Sequence, residues 1–455
     1  MEALPDDALL EVMQYLDIAD LLACRLVCRR LGSLALLPEL WRHHSIDIDD
    51  VYPDDGEIPR YSICAVLRLA PCLRSWHVCL PEKYHTMFAT TRCAVNKLTL
   101  WMRQVDGKGA LQASLLIRNQ EALGRLRRLS LGLGNAVVYY CVKDTADAYE
   151  LLGTVASTSR LEELSITGFQ RYPQSTLAGL DRSFLGASLK SFEHDPRRPD
   201  AEPFCQFILS THASTLESID LDEHAQTSTS TATLLAGMPN LRSLRCGMMP
   251  GLEAVAGCEL LRDLDLCVAY DGEARAAAEF LRRATQLVKL TLRYDESKAT
   301  MVPAPSPDMD FLLALAATGR SHLEELEIYV DIWEHHYFPQ QQALLKALPR
   351  LPALKLLNVE ARTEDDILLG ITPANAPSLR TLQVFRMDLE CSHDALHRDA
   401  VQKCLSLNPE LKLITYAPIY CYRDDRCAWC LLGCHQEMRD DSDPERVDYV
   451  TIPRI

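Results

Sequence analysis

Residues 323–328 read Leu-Glu-Glu-Leu-Glu-Ile, with apolar side chains at the first, fourth and sixth positions. The alternation at the end of this stretch is typical of a strand that turns its apolar side chains to one face. The same pattern occurs thirteen times along the chain, at spacings of 20 to 36 residues, and one copy has His194 in place of the third apolar residue. A period in this range indicates a repeat architecture. The copies begin at Leu73, Val95, Leu126, Leu161, Leu189, Leu216, Leu241, Leu261, Leu287, Leu323, Leu354, Leu379 and Leu411.

Helix-like segments lie between the copies, for example at 146–156, 203–210, 273–284, 310–317 and 340–348. A strand followed by a helix, repeated in this way, predicts stacked units that bury a continuous core only together. The pattern resembles leucine-rich repeats over residues 61–420, in about 12 to 13 units. This resemblance implies an α/β fold, an irregular solenoid with short parallel strands on its concave face and helices on its convex face. The Asn that usually follows the third apolar position is missing, so we expect irregular turns.

The residues between the apolar positions of each strand should face the concave side. Their charge changes sign along the chain, which suits a protein or peptide target with its own order of charges. For any single position, an ordinary solvated residue is the simpler interpretation. The charged residues are Lys97, Arg128, Glu163, Glu193, Asp220, Arg245, Asp263, Asp265, Lys289, Glu325 and Glu327.

Eight aromatic residues follow the third apolar position by one to six residues, where loops leaving the strands would gather on one rim. Large aromatic side chains commonly anchor protein interfaces, so we predict a substrate-binding rim here. The alternative is that they cover the edge of the repeat core. The eight are Trp101, Phe169, Tyr172, Tyr270, Tyr294, Tyr329, Trp333 and Phe385.

The first 46 residues follow a different pattern. Apolar residues at 9, 12, 13 and 16 have helical spacing after Pro5, and Asp17 is placed to cap a second helix. That second helix is apolar on most of its surface. Because about 40 residues can hardly bury so much apolar surface alone, this segment needs a partner or the following domain.

This segment resembles an F-box in its Leu4-Pro5 opening, its Leu-Leu helix, its Val27-Cys28-Arg29-Arg30 stretch and its Leu40-Trp41-Arg42 ending. It departs at Leu31, where the family usually carries an aromatic residue. The resemblance implies a three-helix module at 1–46 that binds a Skp-family adaptor and, through it, a cullin and a RING protein. A terminal cap without an outside partner is the alternative. The implied adaptor contacts are Leu4, Pro5, Leu9, Leu10, Met13, Leu16, Leu21, Leu22, Leu26, Val27, Cys28 and Trp41.

Composition excludes several function classes. The net charge of -16 and the pI near 5.3 argue against binding of a nucleic-acid backbone. The sequence has no eighteen-residue apolar run and no signal-peptide pattern, so we expect no membrane association and a location in the cytoplasm or nucleus. Residues 47–60 are acidic and contain Pro, which favours a linker. No phosphate-binding loop, metalloprotease motif or hydrolase motif occurs, so we predict no catalytic site.

Residues 421–455 form a Cys-rich end with an acidic tail. The spacing of Cys427 and Cys430 is that of a zinc knuckle, and two of Cys421, Cys434 and His435 could complete a four-ligand set. The alternative is a structural cap with free thiols. We expect no cofactor apart from this candidate zinc.

These features together predict a non-catalytic substrate-recognition subunit of an SCF-type ubiquitin ligase. Two alternatives remain open at this point. One is a protein-binding repeat scaffold without a ligase role. The other is a receptor whose solenoid binds a small molecule that completes the target site.

Overall fold

The computed structural model describes fifteen stretches of the chain, and the structural statements below concern these residues. The chain divides into two compact units, Met1–Gln226 and Thr227–Ile455. The described stretches are 4–48, 62–80, 87, 90–102, 107–133, 146–169, 186–196, 202–221, 228–268, 273–294, 310–330, 340–362, 365–385, 397–418 and 447–451.

The first unit begins with short helices and continues as a parallel sheet. Its strands β1 to β7 pair in sequence order, each parallel to the one before it. The helices are α1 (Asp6–Met13), α2 (Ile18–Val27), α3 (Arg29–Leu34), α4 (Pro38–Trp41), α5 (Ile63–Leu69), α6 (Gly107–Ala122), α7 (Ala146–Ser157) and α8 (Glu202–His212). The strands are β1 (Ser45–Ile48), β2 (Cys72–Leu80), β3 (Ala94–Met102), β4 (Arg128–Leu133), β5 (Glu163–Phe169), β6 (Ser191–Pro196) and β7 (Ser218–Leu221).

The second unit repeats the arrangement. Strands β8 to β14 form a parallel ladder in sequence order, and β15 closes its edge in the antiparallel direction. The helices are α9 (Thr229–Ala236), α10 (Ala274–Arg283), α11 (Phe311–Leu315), α12 (Gln341–Ala347), α13 (Asp365–Gly370) and α14 (Asp399–Leu407), with 3₁₀ turns at Leu252–Gly257 and Leu348–Arg350. The strands are β8 (Ser243–Gly247), β9 (Asp263–Val268), β10 (Lys289–Tyr294), β11 (Glu325–Val330), β12 (Leu356–Arg362), β13 (Thr381–Phe385), β14 (Lys412–Pro418) and β15 (Val447–Thr451).

Each of the thirteen sequence copies forms one strand, from β2 to β14, so the predicted repeat is confirmed. The predicted α/β solenoid of parallel strands and intervening helices is confirmed as well. Two strands were not predicted. β1 has Ile46 and Ile48 at the second and third apolar positions but lacks an apolar first position, and it crosses the boundary expected at residue 46. β15 lies outside the repeat pattern altogether.

Burial alternates along the strands as the pattern predicts. In β11 the side chains of Leu326, Ile328 and Val330 are buried, while Glu325 and Glu327 between them remain partly exposed. A single strand cannot bury its own apolar side chains. They are buried only when neighbouring strands and helices pack against them. The other face of the sheet, here called the strand face, carries the polar residues.

Buried polar side chains near the ends of helices form hydrogen bonds to the backbone of turns in neighbouring repeats. Gln120 accepts a hydrogen bond from the backbone N–H of Val95 at 2.9 Å and donates one to the Cys93 carbonyl at 3.0 Å. Asn408 donates to the Ile371 carbonyl at 2.9 Å. These amides satisfy buried backbone groups that would otherwise lack a hydrogen-bond partner.

His212 plays the same part at the end of α8. Its Nδ1 accepts hydrogen bonds from the backbone N–H groups of Ser188, at 3.1 Å, and Leu189, at 3.4 Å. A protonated imidazole has no acceptor, so His212 must be neutral with its proton on Nε2. Burial lowers the pKa of His212 from 6.5 to about 4.

Acid should therefore weaken the first unit through His212. The pKa is lower in the folded state, so the stabilisation is complete above pH 6.5 and is lost as the pH falls toward 4. The expected loss is about 2 kcal/mol of unfolding free energy between pH 6.5 and pH 5. In the His212→Gln variant the amide oxygen accepts from the same N–H groups without titrating, so this part of the pH dependence should disappear. Urea unfolding of both proteins at the two pH values measures it, and equal pH dependence would contradict the assignment.

Candidate functional site

The N-terminal helices enclose a small apolar interior. Leu9 and Met13 of α1 face inward together with Ile18 and Leu21 of α2, because each pair lies three or four residues apart on its helix. Trp41 in α4 is fully buried, and its indole Nε1 donates a hydrogen bond to the Ala35 carbonyl at 2.6 Å. This interior fixes the directions in which the remaining side chains point.

Polar contacts define where the helices begin and end. Asp17 caps α2 by accepting a hydrogen bond from the backbone N–H of Asp20 at 2.7 Å. Cys28 has an extended backbone that separates α2 from α3, and its Sγ accepts from the N–H of Leu31 at 3.4 Å. Arg30 ties α3 to the start of α1 through the Asp6 carboxylate at 2.6 Å. The same guanidinium donates to the Leu4 carbonyl, also at 2.6 Å.

The outer surface of these helices is unusually apolar. Ten large hydrophobic side chains are exposed in the described part of the chain, and five of them belong to residues 4–27. Single exposed hydrophobic residues are ordinary, but a concentration of them marks an interaction surface. The five are Leu4, Val12, Tyr15, Leu26 and Val27, with exposed fractions between 46% and 87%.

The predicted adaptor contacts divide between surface and interior. Leu10, Leu16 and Leu22 are partly exposed. Those on the surface are Leu4, Pro5, Leu26, Val27 and Cys28.

Four of the predicted contacts lie in the interior instead, namely Leu9, Met13, Leu21 and Trp41. Their contact with an adaptor stays a prediction, and in this structure they pack inside the helical domain and support it. Two further exposed apolar residues, Val12 and Tyr15, were not among the predicted contacts. Val12 was counted with the apolar row of α1, although its position lies a quarter-turn away from Leu9 and Met13.

In the first unit, Trp101 lies on the strand face. It sits in β3 opposite Gly132 of β4, and about a third of its surface is exposed. A Cβ added to Gly132 would come within 2.2 Å of the Trp101 ring, so this Gly is required for the ring to lie flat against the neighbouring strand. Trp101 is thus held at the surface rather than in a loop.

In the second unit, charged residues on the strand face form a connected network. Arg293 donates from Nε to both carboxylate oxygens of Asp265 at 2.9 Å, and its guanidinium lies 4.7 Å from the centre of the Tyr329 ring. Lys289 Nζ contacts Glu327 at 2.9 Å. This hydrogen bond is the main cause that raises the pKa of Lys289.

The predicted aromatic rim is only partly realised. The described aromatic residues lie within strands rather than in loops, because the strands extend beyond the third apolar position. Tyr294 is buried and donates a hydrogen bond from its hydroxyl to Gln340 at 2.7 Å, so its contact role is corrected to a core role. Phe169 and Phe385 end their strands. Tyr172, Tyr270 and Trp333 lie outside the described residues.

Comparison with known families bears on the N-terminal helices. Residues 1–47 match the family described as F-box-like. These residues are an F-box-like domain. The expected F-box resemblance is thereby confirmed, and the domain stands beside a leucine-rich-repeat type of fold. This combination is a protein-binding architecture.

Two further comparisons add little. No curated protein matches the chain. Among solved structures, an internalin (inlF) from Listeria monocytogenes str. 4b F2365 is similar at 16% sequence identity, over 72% of this chain and 81% of that chain, with a TM-score of 0.37. A likeness of this size carries no argument about function.

The candidate zinc ligands Cys421, Cys427, Cys430 and Cys434 lie outside the described residues, so zinc binding stays a prediction. Within the described stretches, no group of three or more His, Cys, Asp or Glu residues is arranged to hold a metal ion. In the same stretches no helix has the length and apolar character needed to cross a bilayer.

The division of the F-box-like domain into interior and surface predicts unequal effects of similar substitutions. Leu9→Ala should destabilise the domain by about 2–5 kcal/mol, because it opens a cavity in the interior. Val12→Ala, on the exposed side of the same helix, should cost less than about 0.5 kcal/mol. Hydrogen exchange of the amides of α1 and α2 measures local opening in each variant. Equal acceleration of exchange in both would contradict the placement of the two side chains.

Proposed function

We propose that this chain is the non-catalytic substrate-recognition subunit of an SCF-type ubiquitin ligase. The F-box-like domain binds a Skp-family adaptor, and through it a cullin and a RING protein, while the strand faces hold a protein target. One observation carries the proposal, namely the five large apolar side chains exposed on a domain whose sequence matches the F-box-like family.

The energetics favour a partner at this surface. Removing apolar surface from water yields about 25 cal/mol per Å², and side chains such as Tyr15 and Leu26 supply much of that area when a partner covers them. Fixed helices lower the cost of ordering the surface on binding. Acidic Asp7, Glu11 and Asp20 are exposed on the same two helices and provide a polar rim that orients the partner.

The chemistry of ubiquitin transfer belongs to other subunits in this proposal. The chain contributes proximity, holding a target so that its lysine side chains meet the charged conjugating enzyme at high effective concentration. No catalytic residue is required of it. Residence in the cytoplasm or nucleus, where such ligases act, remains a prediction.

A surface variant tests the proposal. Changing Val12 to Thr, Tyr15 to Ser, Leu26 to Gln and Val27 to Thr should abolish co-purification with a Skp-family adaptor, weakening affinity by at least a hundredfold. The interior row of Leu9 and Met13 is untouched, so the domain should remain folded.

The matched control changes Leu111 and Leu115 to Gln. These two leucines are exposed on α6 and resemble the surface leucines in chemistry. The control should bind the adaptor like the parent. Retention of the adaptor by the four-residue variant, or failure of the folded parent to bind it, would contradict the proposal. If the variant loses the adaptor but captured targets turn over unchanged, the chain is a scaffold rather than a ligase receptor.

A further inference from the structure

The strand face of β9 to β12 in the second unit gathers carboxylates. The parallel register places Asp263, Lys289 and Glu325 in one row across three strands. With strands about 4.8 Å apart, four strands span about 15 Å. We call this surface the carboxylate face, and it is defined by Asp263, Asp265, Glu325, Glu327 and Glu360.

The cations on this face are already engaged. Arg293 makes two contacts of 2.9 Å with Asp265, and Arg245 approaches the same carboxylate at 3.8 Å. Lys289 contacts Glu327 at 2.9 Å and Glu325 only at 3.8 Å. The three cations therefore form their short contacts mainly with two of the five carboxylates, those of Asp265 and Glu327.

Cations whose side chains the structure describes engage the remaining three carboxylates only weakly. No Lys, Arg or His side chain that the structure describes forms an ion pair within 4 Å of Asp263 or Glu360. Burial, together with the charges of Asp265 and Glu327, raises the pKa of Asp263 despite nearby Lys289. Burial and the charges of Glu327 and Glu360 raise the pKa of Tyr329 as well. Burial is the largest cause of both shifts, and the neighbouring carboxylates act in the same direction.

Asn358 is an independent sign of a missing partner. It lies beside Glu327 in the register, and its neighbours Leu357 and Val359 face the interior, so its own side chain projects to the strand face. Asn358 is 6% exposed, and its buried Oδ1 accepts no hydrogen bond in the described structure. A buried acceptor without a donor costs about 1–3 kcal/mol, which an incoming N–H donor would relieve.

We propose that the carboxylate face binds an extended Lys- or Arg-rich segment of the protein target. The inference rests on the proposed function, since it names the chemical class of the target. Cationic side chains of such a segment would neutralise Asp263, Glu325 and Glu360, and its N–H groups would supply the donor that Asn358 lacks. An acidic segment or a nucleic-acid backbone would be repelled by the same carboxylates.

Fluorescence anisotropy with defined peptides tests this on the full chain. The probes are fluorescein-labelled (Gly-Ser-Lys)₄, (Gly-Ser-Arg)₄ and (Gly-Ser-Glu)₄. The parent should bind both basic peptides in preference to the acidic one, with affinity that falls as salt rises. The triple variant Asp263→Asn, Glu325→Gln, Glu360→Gln should bind the basic peptides at least tenfold more weakly.

The matched control is Glu150→Gln, Glu259→Gln, Glu410→Gln, which changes the net charge equally at exposed positions off the carboxylate face. It should bind within twofold of the parent. The single variant Glu360→Gln, at a partly exposed position, gives a second measure if the triple variant folds poorly. Equal weakening by the triple variant and the control, or no preference of the parent for basic peptides, would overturn the proposal.

Adaptor co-purification on the same preparations separates this inference from the proposed function. Both triple variants should bind the adaptor like the parent, because the F-box-like domain is unchanged. Loss of adaptor binding by the parent defeats the proposed function, whereas loss of peptide preference alone defeats only the inference about the target.

Discussion

The rest of the structure depends on the burial of one apolar row per strand against its neighbours. In the second unit, Leu264, Leu290, Leu326, Leu357 and Leu382 follow one another across five strands, and all are fully buried. No strand of five to seven residues could bury such a side chain alone. The parallel register follows from this row, since a shift by one residue would turn every leucine to the strand face.

This constraint leaves the other face of the sheet available for recognition. The interior fixes the backbone, so residues at alternate positions are held at spacings of about 4.8 Å without needing to pack. The strand face can then carry groups that would be costly in a core. Trp101 over Gly132, and Arg293 between Asp265 and Tyr329, are such groups. The same separation operates in the F-box-like domain, where one side of α1 is interior and the other side exposes Val12 between acidic residues.

The sequence was sufficient to predict the repeat strands. It was not sufficient to predict which side chains of the candidate site are exposed. Each copy of the pattern predicts a strand because alternation and period agree. The aromatic residues show where prediction from the sequence stopped. Trp101 and Tyr329 lie one residue past the third apolar position and face outward. Tyr294 lies two residues past it and faces inward. The alternation of side chains along a strand would have distinguished these residues, but loops were expected after the third apolar position. β15 carried no repeat signal, because an antiparallel edge strand belongs to no unit. Which apolar row of α1 forms the interior depends on the packing of α2 and Trp41, which helical spacing alone does not specify.

We infer that the exposed apolar surface of the F-box-like domain binds the adaptor and that the repeat strands take no part in this binding. Hydrogen–deuterium exchange of the full chain with and without a Skp-family adaptor tests it most directly. We expect the adaptor to slow exchange only at backbone amides of residues 4–31. The amides of the strands in both units should exchange slowly with or without the adaptor. Absence of protection in α1 and α2, or protection spread across the strands instead, would contradict it.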